Sequence, residues 1–375
     1  MNKKYSELAE LFRSEKTDEE ILDFLLNYHK NDIADMMAGM TEEERKRLYH
    51  LLGAQKVAEI FKYIEEPRKY IRELSVESAA RVISEMDSDD AVDLLEDLDP
   101  EEKEQIVRML DEDAKKDVKM LLSYDEEEIG SCMTTNYICI PEDLTIKQAM
   151  SELVKQAGEN DNIMTIYVVD EKGVFAGAID LKDLIRAREN AHLEDLVLKS
   201  YPYVTDHEKI DDCMDRILDY AEDSIPVLSE DKKILGVITS EDLIEMVDNE
   251  MGEDYAKLAG LTAEEDLKEP TLQSMKKRLP WLIILLFLGM AVSSVVGLFE
   301  NVVAVLPIVI CFQSLVLDMA GNVGTQSLAV TIRVLMDENL TGKQKFQLVV
   351  KEVKTGSLNG ILLGVMALLC LGVYV

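Results

Sequence analysis

Short stretches of apolar residues at helical spacing make up the first third of the chain. Leu, Ile, Val and Met recur at i, i+3 and i+4, behind Thr, Asp or Asp-Pro, in segments such as DEEILDFLLNYH, EERKRLYHLLG, QKVAEIFKYI, SDDAVDLLEDL and DPEEKEQIVRML. This spacing and these N-cap residues predict α-helices. Since helices of this length are not stable alone, we predict that residues 1–128 stack into an all-α, superhelical and acidic N domain.

A repeat of strand-type and helix-type segments follows the N domain. The run 167–185 parallels 225–244, so that Gly177 pairs with Gly236 and Asp183 with Asp242. Each copy predicts a strand, a polar turn, a second strand and a helix, and another helix precedes it. Two such units bury their sheets against each other. The pattern resembles a tandem pair of CBS (cystathionine-β-synthase) domains with an α/β fold, at 129–190 and 191–250.

Three apolar runs come after a charged, helical connector at 251–279. They lie at about 281–299, 302–332 and 355–375, long enough for helices that cross about 30 Å of hydrocarbon. A buried helix of a soluble protein explains any one such run. Three in succession predict an α-helical transmembrane domain at 280–375.

Basic residues flank these runs on one side. The bases from Pro270 onward are Lys276, Lys277, Arg278, Arg333, Lys343, Lys345, Lys351 and Lys354. Three of them precede the first run, and the other five lie between the end of the second run and the start of the third. The positive-inside rule therefore predicts a multi-pass protein of the cytoplasmic membrane with its N-terminal domains in the cytoplasm.

The formal net charge of −34 resides in the part before the membrane segments. Residues 1–269 hold 32 basic and 69 acidic groups, whereas eight basic and five acidic groups follow. Such a surface repels nucleic acid, so no nucleic-acid partner is expected, and it attracts cations. A merely well-solvated surface is the alternative, but the recurrence of the acids at particular places favours cation binding.

The residues that most enzymes and zinc sites need are scattered. The five cysteines form no C-x-x-C pair, and the four histidines lie far apart. We find no Ser/His/Asp set, phosphate loop or metal-histidine cluster in the pattern. The sequence therefore predicts a protein that is not an enzyme, with buried thiols in a reducing compartment.

A polar stretch, DMAGNVGTQS at 318–327, lies inside the second apolar run. An ionisable group at membrane depth costs about 2.5–3.5 kcal/mol, so Asp318 is expected to face a pore or a partner. Gly321 and Gly324 allow close backbone approach, while Asn322 and Gln326 supply amide oxygens. Oxygen-only chemistry in a water-lined gap suits Mg²⁺. A tight helix crossing built on small residues is the alternative.

The segment PIVICFQSLVLDMAGNVGTQSLAVTIRVL resembles the second transmembrane helix of MgtE-type magnesium channels. RLPWLIILLFLGMAVSSVVGLFE is similar to the first helix of that family, and KEVKTGSLNGILLGV to the third. The order of helical N domain, CBS pair, connector (plug) helix and membrane domain is also that of the family. The resemblance covers essentially the whole chain. It implies five membrane helices, so the last two are expected to be missing from this sequence.

The resemblance also implies roles for particular acids. The implied regulatory Mg²⁺ ligands are Asp242, Glu245, Glu250, Glu253 and Asp254 in SEDLIEMVDNEMGED (240–254), with Asp89, Asp90 and Asp93 in DDAVDLL (89–95). Asp89 and Asp93 are i, i+4 neighbours and share a helical face. A solvated acidic helix is the alternative at each site. Lys209 and Ala221 depart from the family pattern, with Asp211 and Asp212 as candidate substitutes.

The function implied by the resemblance is Mg²⁺ uptake by a homodimeric, membrane-embedded channel that cytosolic Mg²⁺ closes through the N and CBS domains. Asp318, Gly321, Asn322, Gly324 and Gln326 would line its pore. The alternative is a truncated, non-conducting, membrane-anchored Mg²⁺ sensor. CBS pairs often bind adenine nucleotides, which leaves ATP or a related nucleotide open as a second ligand.

Overall fold

The computed structural model of this 375-residue chain describes residues 12–13, 17–64, 66–158, 160–188, 191–261, 270–299, 307–337 and 341–374. The chain forms two compact units, Met1–Ile244 and Glu245–Val375. The boundary between them falls inside one long helix, Ser240–Leu258. The domain boundaries expected from the sequence stay predictions.

Short α-helices build the N-terminal part of the first unit, as the sequence predicts. They are α1 (Asp18–Leu25), α2 (Lys30–Met37), α3 (Glu42–Phe61), α4 (Pro67–Ile71), α5 (Val76–Ser84), α6 (Ser88–Glu96), α7 (Pro100–Met109) and α8 (Glu112–Leu121). Thr17 and Thr41 each form a capping box with the glutamate three residues later, which satisfies free amides at the helix start. Gly53, with φ +77°, divides α3. The two helical patterns on either side of it are therefore separate segments.

One charged side chain lies within the apolar core of the N domain. Arg45 and Glu73 expose only 8% and 10% of their side chains. Arg45 Nε donates to Glu73 Oε2 at 2.9 Å, and Nη1 donates to the carbonyl oxygen of Met37 at 3.3 Å. The guanidinium also lies 5.1 Å from the centre of the Tyr70 ring. This one cation therefore ties α3 to the ends of α2 and α4.

Two similar three-stranded sheets follow, which confirms the predicted repeat. The first has β1 (Ile138–Pro141), β2 (Thr165–Val169) and β3 (Phe175–Asp180), and the second has β4 (Val204–Thr205), β5 (Ser224–Leu228) and β6 (Ile234–Thr239). The first two strands of each sheet are parallel and the last two antiparallel. The helices of this region are α9 (Ile146–Gln156), α10 (Leu181–Arg186) and α11 (Ile210–Leu218). The Tyr167 and Ser224 hydroxyls, 2.6 Å apart, join the sheets.

The repeated glycines have a common role in the two sheets. Gly177 pairs with Val168, and Gly236 pairs with Val227. A Cβ at Gly177 would lie 2.6 Å from the carbonyl oxygen of Leu198, and one at Gly236 would lie 2.7 Å from that of Thr134. Glycine is needed at both places because another backbone segment approaches the strand.

Four long helices are described after the second sheet. They are α12 (Ser240–Leu258), α13 (Thr271–Gly297), α14 (Pro307–Asp337) and α15 (Gly342–Tyr374). Among the described residues, Thr271–Gly297 and Gly342–Cys370 are long and apolar enough to cross a membrane. Each of the three predicted spans overlaps a helix, although residues 302–306 and Val375 lie outside the described residues, and the span bounds stay predictions.

Candidate functional site

The N domain contacts the CBS pair through the start of α6. Asn136 Nδ2 donates to Asp87 Oδ1 at 2.8 Å, and the Thr135 amide donates to Ser88 Oγ at 2.9 Å. Thr135 Oγ1 also donates to Asp117 Oδ2, in α8, at 2.8 Å. We call this arrangement of the two parts docked. The Thr135 amide is a direct reporter of docking because its acceptor belongs to the N domain.

Acidic side chains from both parts meet beside these hydrogen bonds. This acidic seam consists of Asp87, Asp89 and Asp90 from the N domain with Glu241 and Asp242 from the CBS pair. Burial raises the pKa of Asp89 well above its ordinary value, and the charges of Asp242 and Asp90 raise it further. Oδ1 of Asp89 is buried and has no hydrogen-bond partner within the described ranges. The seam therefore holds a carboxylate oxygen that lacks a compensating donor.

Asp242 lies on the CBS side of the seam and also starts a helix. The Thr239 amide and hydroxyl donate to Asp242 Oδ2 at 2.7 and 2.9 Å, and the Asp242 amide donates back to Thr239 Oγ1 at 3.3 Å. This reciprocal cap sets the position of the carboxylate at the first turn of α12. The pKa of Asp242 is raised to about 6, chiefly by burial and also by the charges of Asp90 and Glu241, while the Thr239 hydrogen bonds oppose the rise.

One lysine enters the seam from the end of α3. Lys62 Nζ forms ion pairs with Asp87 and, at 3.1 Å, with Asp90 Oδ2. Burial raises the pKa of Asp90, Lys62 lowers it, and Asp87 and Glu241 raise it. The Cys132 thiol lies near the same charges: burial raises its pKa to about 11, and Asp93, Asp242 and Asp89 add to that rise. Neither Lys62 nor Asp87 is a candidate by sequence, and only their spatial position identifies them.

The other predicted ligands whose side chains the structure describes are solvent-exposed rather than buried in the seam. Asp93 and Glu245 are exposed, and the side chains of Glu250, Glu253 and Asp254 lie outside the described residues. Lys209 Nζ pairs with Glu127 Oε2 at 2.6 Å, and Asp211 and Asp212 are exposed. In the part of the chain that the structure describes, no three His, Cys, Asp or Glu side chains form a ready-made metal cage.

The seam still fits a hydrated magnesium ion. Mg²⁺ keeps several of its waters and is held through one or two carboxylates rather than a full set of protein ligands. Asp89 offers an unpartnered oxygen near the Asp242 charge, and both groups are oxygen-only ligands. Such an ion would offset the repulsion that the pKa shifts reveal.

We expect docking without metal to strengthen as the pH falls. An acid whose pKa is raised in the docked state binds a proton more tightly there, so its contribution is complete below its ordinary pKa of 3.8 and is lost as the pH rises through about 6. Asp89 shifts in the same direction, while Lys62 stays positive. Hydrogen exchange of the Thr135 amide in chelator, corrected for intrinsic rate, should be several-fold slower at about pH 5 than at about pH 7. An equal corrected rate would contradict this prediction, and Asp242→Asn should reduce the difference.

The predicted pore residues on α14 fall on two faces of the helix. Gly324 lines a groove of about 980 Å³ between α14 and α15, together with Val323, Ser327 and, from α15, Glu352. Asp318, Gly321, Asn322 and Gln326 are exposed and do not line that groove. The amide and carboxylate groups therefore lie on the side of α14 that α15 does not cover, and their pore-lining role stays a prediction. Glu352 is not a candidate by sequence.

Gly260 closes the end of α12 and contacts Trp281 within α13. Its φ is +76°, and the amides of Gly260 and Leu261 donate to the carbonyl oxygens of Lys257 and Ala256 at 3.0 and 2.9 Å. These bonds close α12 at its C-terminus. A Cβ on Gly260 would lie 2.2 Å from Cδ1 of Trp281, so the glycine backbone packs directly on the indole.

Gly260→Ala is expected to separate Trp281 from the end of α12. The new Cβ collides with the ring, and alanine in a left-handed conformation costs about 1–2 kcal/mol more. Trp281 is the single tryptophan, so collisional quenching of its fluorescence in the full chain should increase. Gly173→Ala is the matched control, because Gly173 has the same φ of +76° with nothing within 4 Å. Equal quenching in the two variants would contradict the contact.

A helical domain, a CBS pair and long apolar helices define a class of membrane protein with CBS domains. The chain matches known protein families in three successive parts. Residues 28–127 match the MgtE intracellular N domain, residues 127–190 and 193–249 match CBS domains, and residues 313–375 match a family described as divalent cation transporter.

Two known relatives match long stretches of the chain. The chain is 37% identical over 378 residues to the magnesium transporter MgtE of Enterococcus faecalis, covering 100% of this chain and 83% of that protein. It is 30% identical to the Bacillus subtilis MgtE, over 67% of this chain and 56% of that protein. The chain belongs to the MgtE family of magnesium transporters.

Two solved structures resemble the part of the chain that precedes the membrane helices. One is the soluble part of a magnesium transporter, at 29% identity and a TM-score of 0.63, with 66% of this chain and 98% of that chain covered. The other is the cytosolic domain of the Mg²⁺ channel MgtE in complex with ATP, at 26% identity and a TM-score of 0.58, with 64% and 99% covered.

Proposed function

We propose that this chain transports Mg²⁺ across the cytoplasmic membrane and that Mg²⁺ bound at the acidic seam closes the path. The observation that carries the regulatory part is the buried Oδ1 of Asp89, which has no hydrogen-bond partner among the described residues and lies beside the charge of Asp242. Family membership and the two apolar helices support the transport part.

The gating follows from electrostatics at the seam. Without metal, the like charges of Asp89, Asp90 and Asp242 oppose docking. A hydrated Mg²⁺ supplies two positive charges between them and binds the docked state better than the open one, so it shifts the population toward docking. Asp242 caps α12, which ends at the Gly260–Trp281 contact. In this proposal, α12 would carry a displacement at the seam toward its own C-terminal turn, where Gly260 contacts Trp281.

The ion path would run along the polar face of α14. Asp318, Asn322 and Gln326 carry side-chain oxygens on this helix outside the groove with α15. A two-fold homodimer would place two such faces around one axis. The N-terminal domains would lie in the cytoplasm, where the seam samples the transported ion. Native mass spectrometry of the chain in mild detergent tests this assembly, and a strict monomer would contradict it.

Proteoliposomes test the proposal directly. The full chain should admit Mg²⁺ in a dye-based influx assay, and Mg²⁺ on the cytoplasmic side should slow both the influx and the exchange of the Thr135 amide. Asp89→Asn combined with Asp242→Asn should make exchange and influx independent of cytoplasmic Mg²⁺, because both charges that the ion bridges are gone. Asp97→Asn, an exposed acid just after α6, is the control and should respond as the wild type does.

The same experiment separates the alternatives. Mg²⁺-dependent protection without any influx would favour the truncated, membrane-anchored sensor. Influx that does not respond to cytoplasmic Mg²⁺ in the wild type would contradict the gating.

Binding of ATP or another adenine nucleotide at the CBS pair is a further part of the proposal. It is supported by the fold shared with the ATP-bound cytosolic domain, and calorimetry with ATP tests it.

A further inference from the structure

Lys62 occupies one end of the acidic seam. It follows α3 directly, and about a third of its side chain is exposed. Its Nζ pairs with Asp87 and lies 3.1 Å from Asp90 Oδ2. Asp87 in turn accepts the 2.8 Å hydrogen bond from Asn136 of the CBS pair. The ammonium group therefore contacts an acid that itself bridges the two parts.

The charge balance of the seam depends on this one side chain. Five acids meet there. Among the described residues, the basic side chain that forms ion pairs with these acids is Lys62. Burial lowers the pKa of Lys62, but Asp90 and Asp87 raise it by more, so the ammonium remains charged at neutral pH. Oδ2 of Asp90 is buried, and losing the cation beside it would leave an uncompensated carboxylate.

We propose that Lys62 is a tethered cation of the acidic seam, which holds the N domain docked on the CBS pair before any metal binds and thereby sets how strongly docking depends on Mg²⁺. The inference rests on the proposed Mg²⁺ sensing at the same seam. Lys62 neutralises the Asp87–Asp90 end, and the Asp89–Asp242 end remains for the ion.

The direction of the effect follows from the two charges. Removing the ammonium leaves Asp87 and Asp90 uncompensated in both states, but only docking brings them close to Glu241 and Asp242, so docking in chelator weakens. The more negative seam attracts Mg²⁺ more strongly, so excess Mg²⁺ restores docking. The variant should therefore depend on Mg²⁺ over a wider range than the wild type does.

Hydrogen exchange of the full chain in detergent tests the proposal through the peptide that carries the Thr135 amide. In chelator, Lys62→Met should exchange at least about tenfold faster than wild type, and excess Mg²⁺ should remove most of the difference. Lys62→Arg keeps the charge and should resemble wild type. Lys62→Met combined with Asp90→Asn removes one charge of each sign, so docking in chelator should recover.

The exchange rates of the two Lys62 variants decide whether the ammonium charge supports docking. Unchanged exchange of Lys62→Met in chelator would overturn it, and so would an equal loss of protection in Lys62→Arg, because charge would then not be the cause. Peptides from β2 and β5 should keep their wild-type rates, which shows that the CBS pair is still folded. The wild-type response to Mg²⁺ tests the proposed function separately. Absence of that response would contradict Mg²⁺ sensing, whereas the comparison in chelator would still decide the role of Lys62.

Discussion

Asn322→Ala is expected to reduce Mg²⁺ influx into proteoliposomes by about tenfold or more. Asn322 lies on the face of α14 that α15 leaves uncovered, where its amide oxygen can accept a hydrogen bond from the water shell of the ion. A hydrogen bond to a charged group contributes about 1.5–3 kcal/mol, and 1.4 kcal/mol is a factor of about ten. Alanine is a good helix former, so the helix and its membrane insertion should be unchanged.

Matched variants separate ion contact from helix packing. Ser327→Ala lies one turn further along α14, in the groove with α15, and should conduct normally. Asp318→Asn should be milder than Asn322→Ala if the acid mainly raises the local cation concentration. If small-residue packing is the reason for the stretch, Gly321→Leu and Gly324→Leu would abolish assembly while Asn322→Ala would be nearly silent. Normal influx through Asn322→Ala would remove the pore-lining assignment.

Arg45→Met is expected to destabilise the N domain by about 3 kcal/mol. The substitution leaves the Glu73 carboxylate buried without its cation, and it removes the donor to the Met37 carbonyl. Amides of α3 that exchange through opening of the whole domain should exchange about a hundredfold faster in the full chain. Because the seam needs a folded α6 and the end of α3, Mg²⁺ should protect the Thr135 amide less strongly than in the wild type as the domain opens more often.

Two further variants assign the cause of that loss. Lys46→Met is the control on the same helix: Lys46 pairs with Glu42 at 2.5 Å, but both side chains are about half exposed. Such an i, i+4 pair contributes only about 0.3–0.5 kcal/mol. Arg45→Met combined with Glu73→Met removes both buried charges and should recover much of the stability. If the double variant is no more stable than Arg45→Met, the unpaired carboxylate is not the cause.

Local patterns are sufficient to predict the secondary structure and its repeat. Thr17 and Thr41 stand where capping boxes form, and the paired glycines, Gly177 and Gly236, mark equivalent strand positions. Caps and apolar periodicity act within one or two helical turns, so the sequence displays them directly. The polar TLQSMKKR segment is predicted as part of the helical connector, and its continuity with the first apolar helix, from Thr271 to Gly297, is not predicted because it carries no membrane signal.

The seam can be predicted only in part. The acids Asp89, Asp90 and Asp242 are candidates because their motifs resemble those of the family, and the structure brings them together. Lys62 and Asp87 carry no signal of their own, because an isolated lysine or aspartate on a helix end is usually solvated. Their importance comes from pairing between segments 25 residues apart, which no local pattern encodes.

The helices, the two β-α-β-β-α units, the acidic surface and the apolar membrane segments can all be derived from the amino-acid sequence, because they depend on side-chain type and short-range spacing. Three features become known only from the packed fold. They are the acids that burial desolvates, the face of α14 that remains exposed, and the contact between Gly260 and Trp281. Desolvation and steric exclusion depend on what every other segment places around a group. Asp89 and Asp93 illustrate this: they share one helix and one acidic motif, yet Asp89 is desolvated at the seam while Asp93 stays exposed.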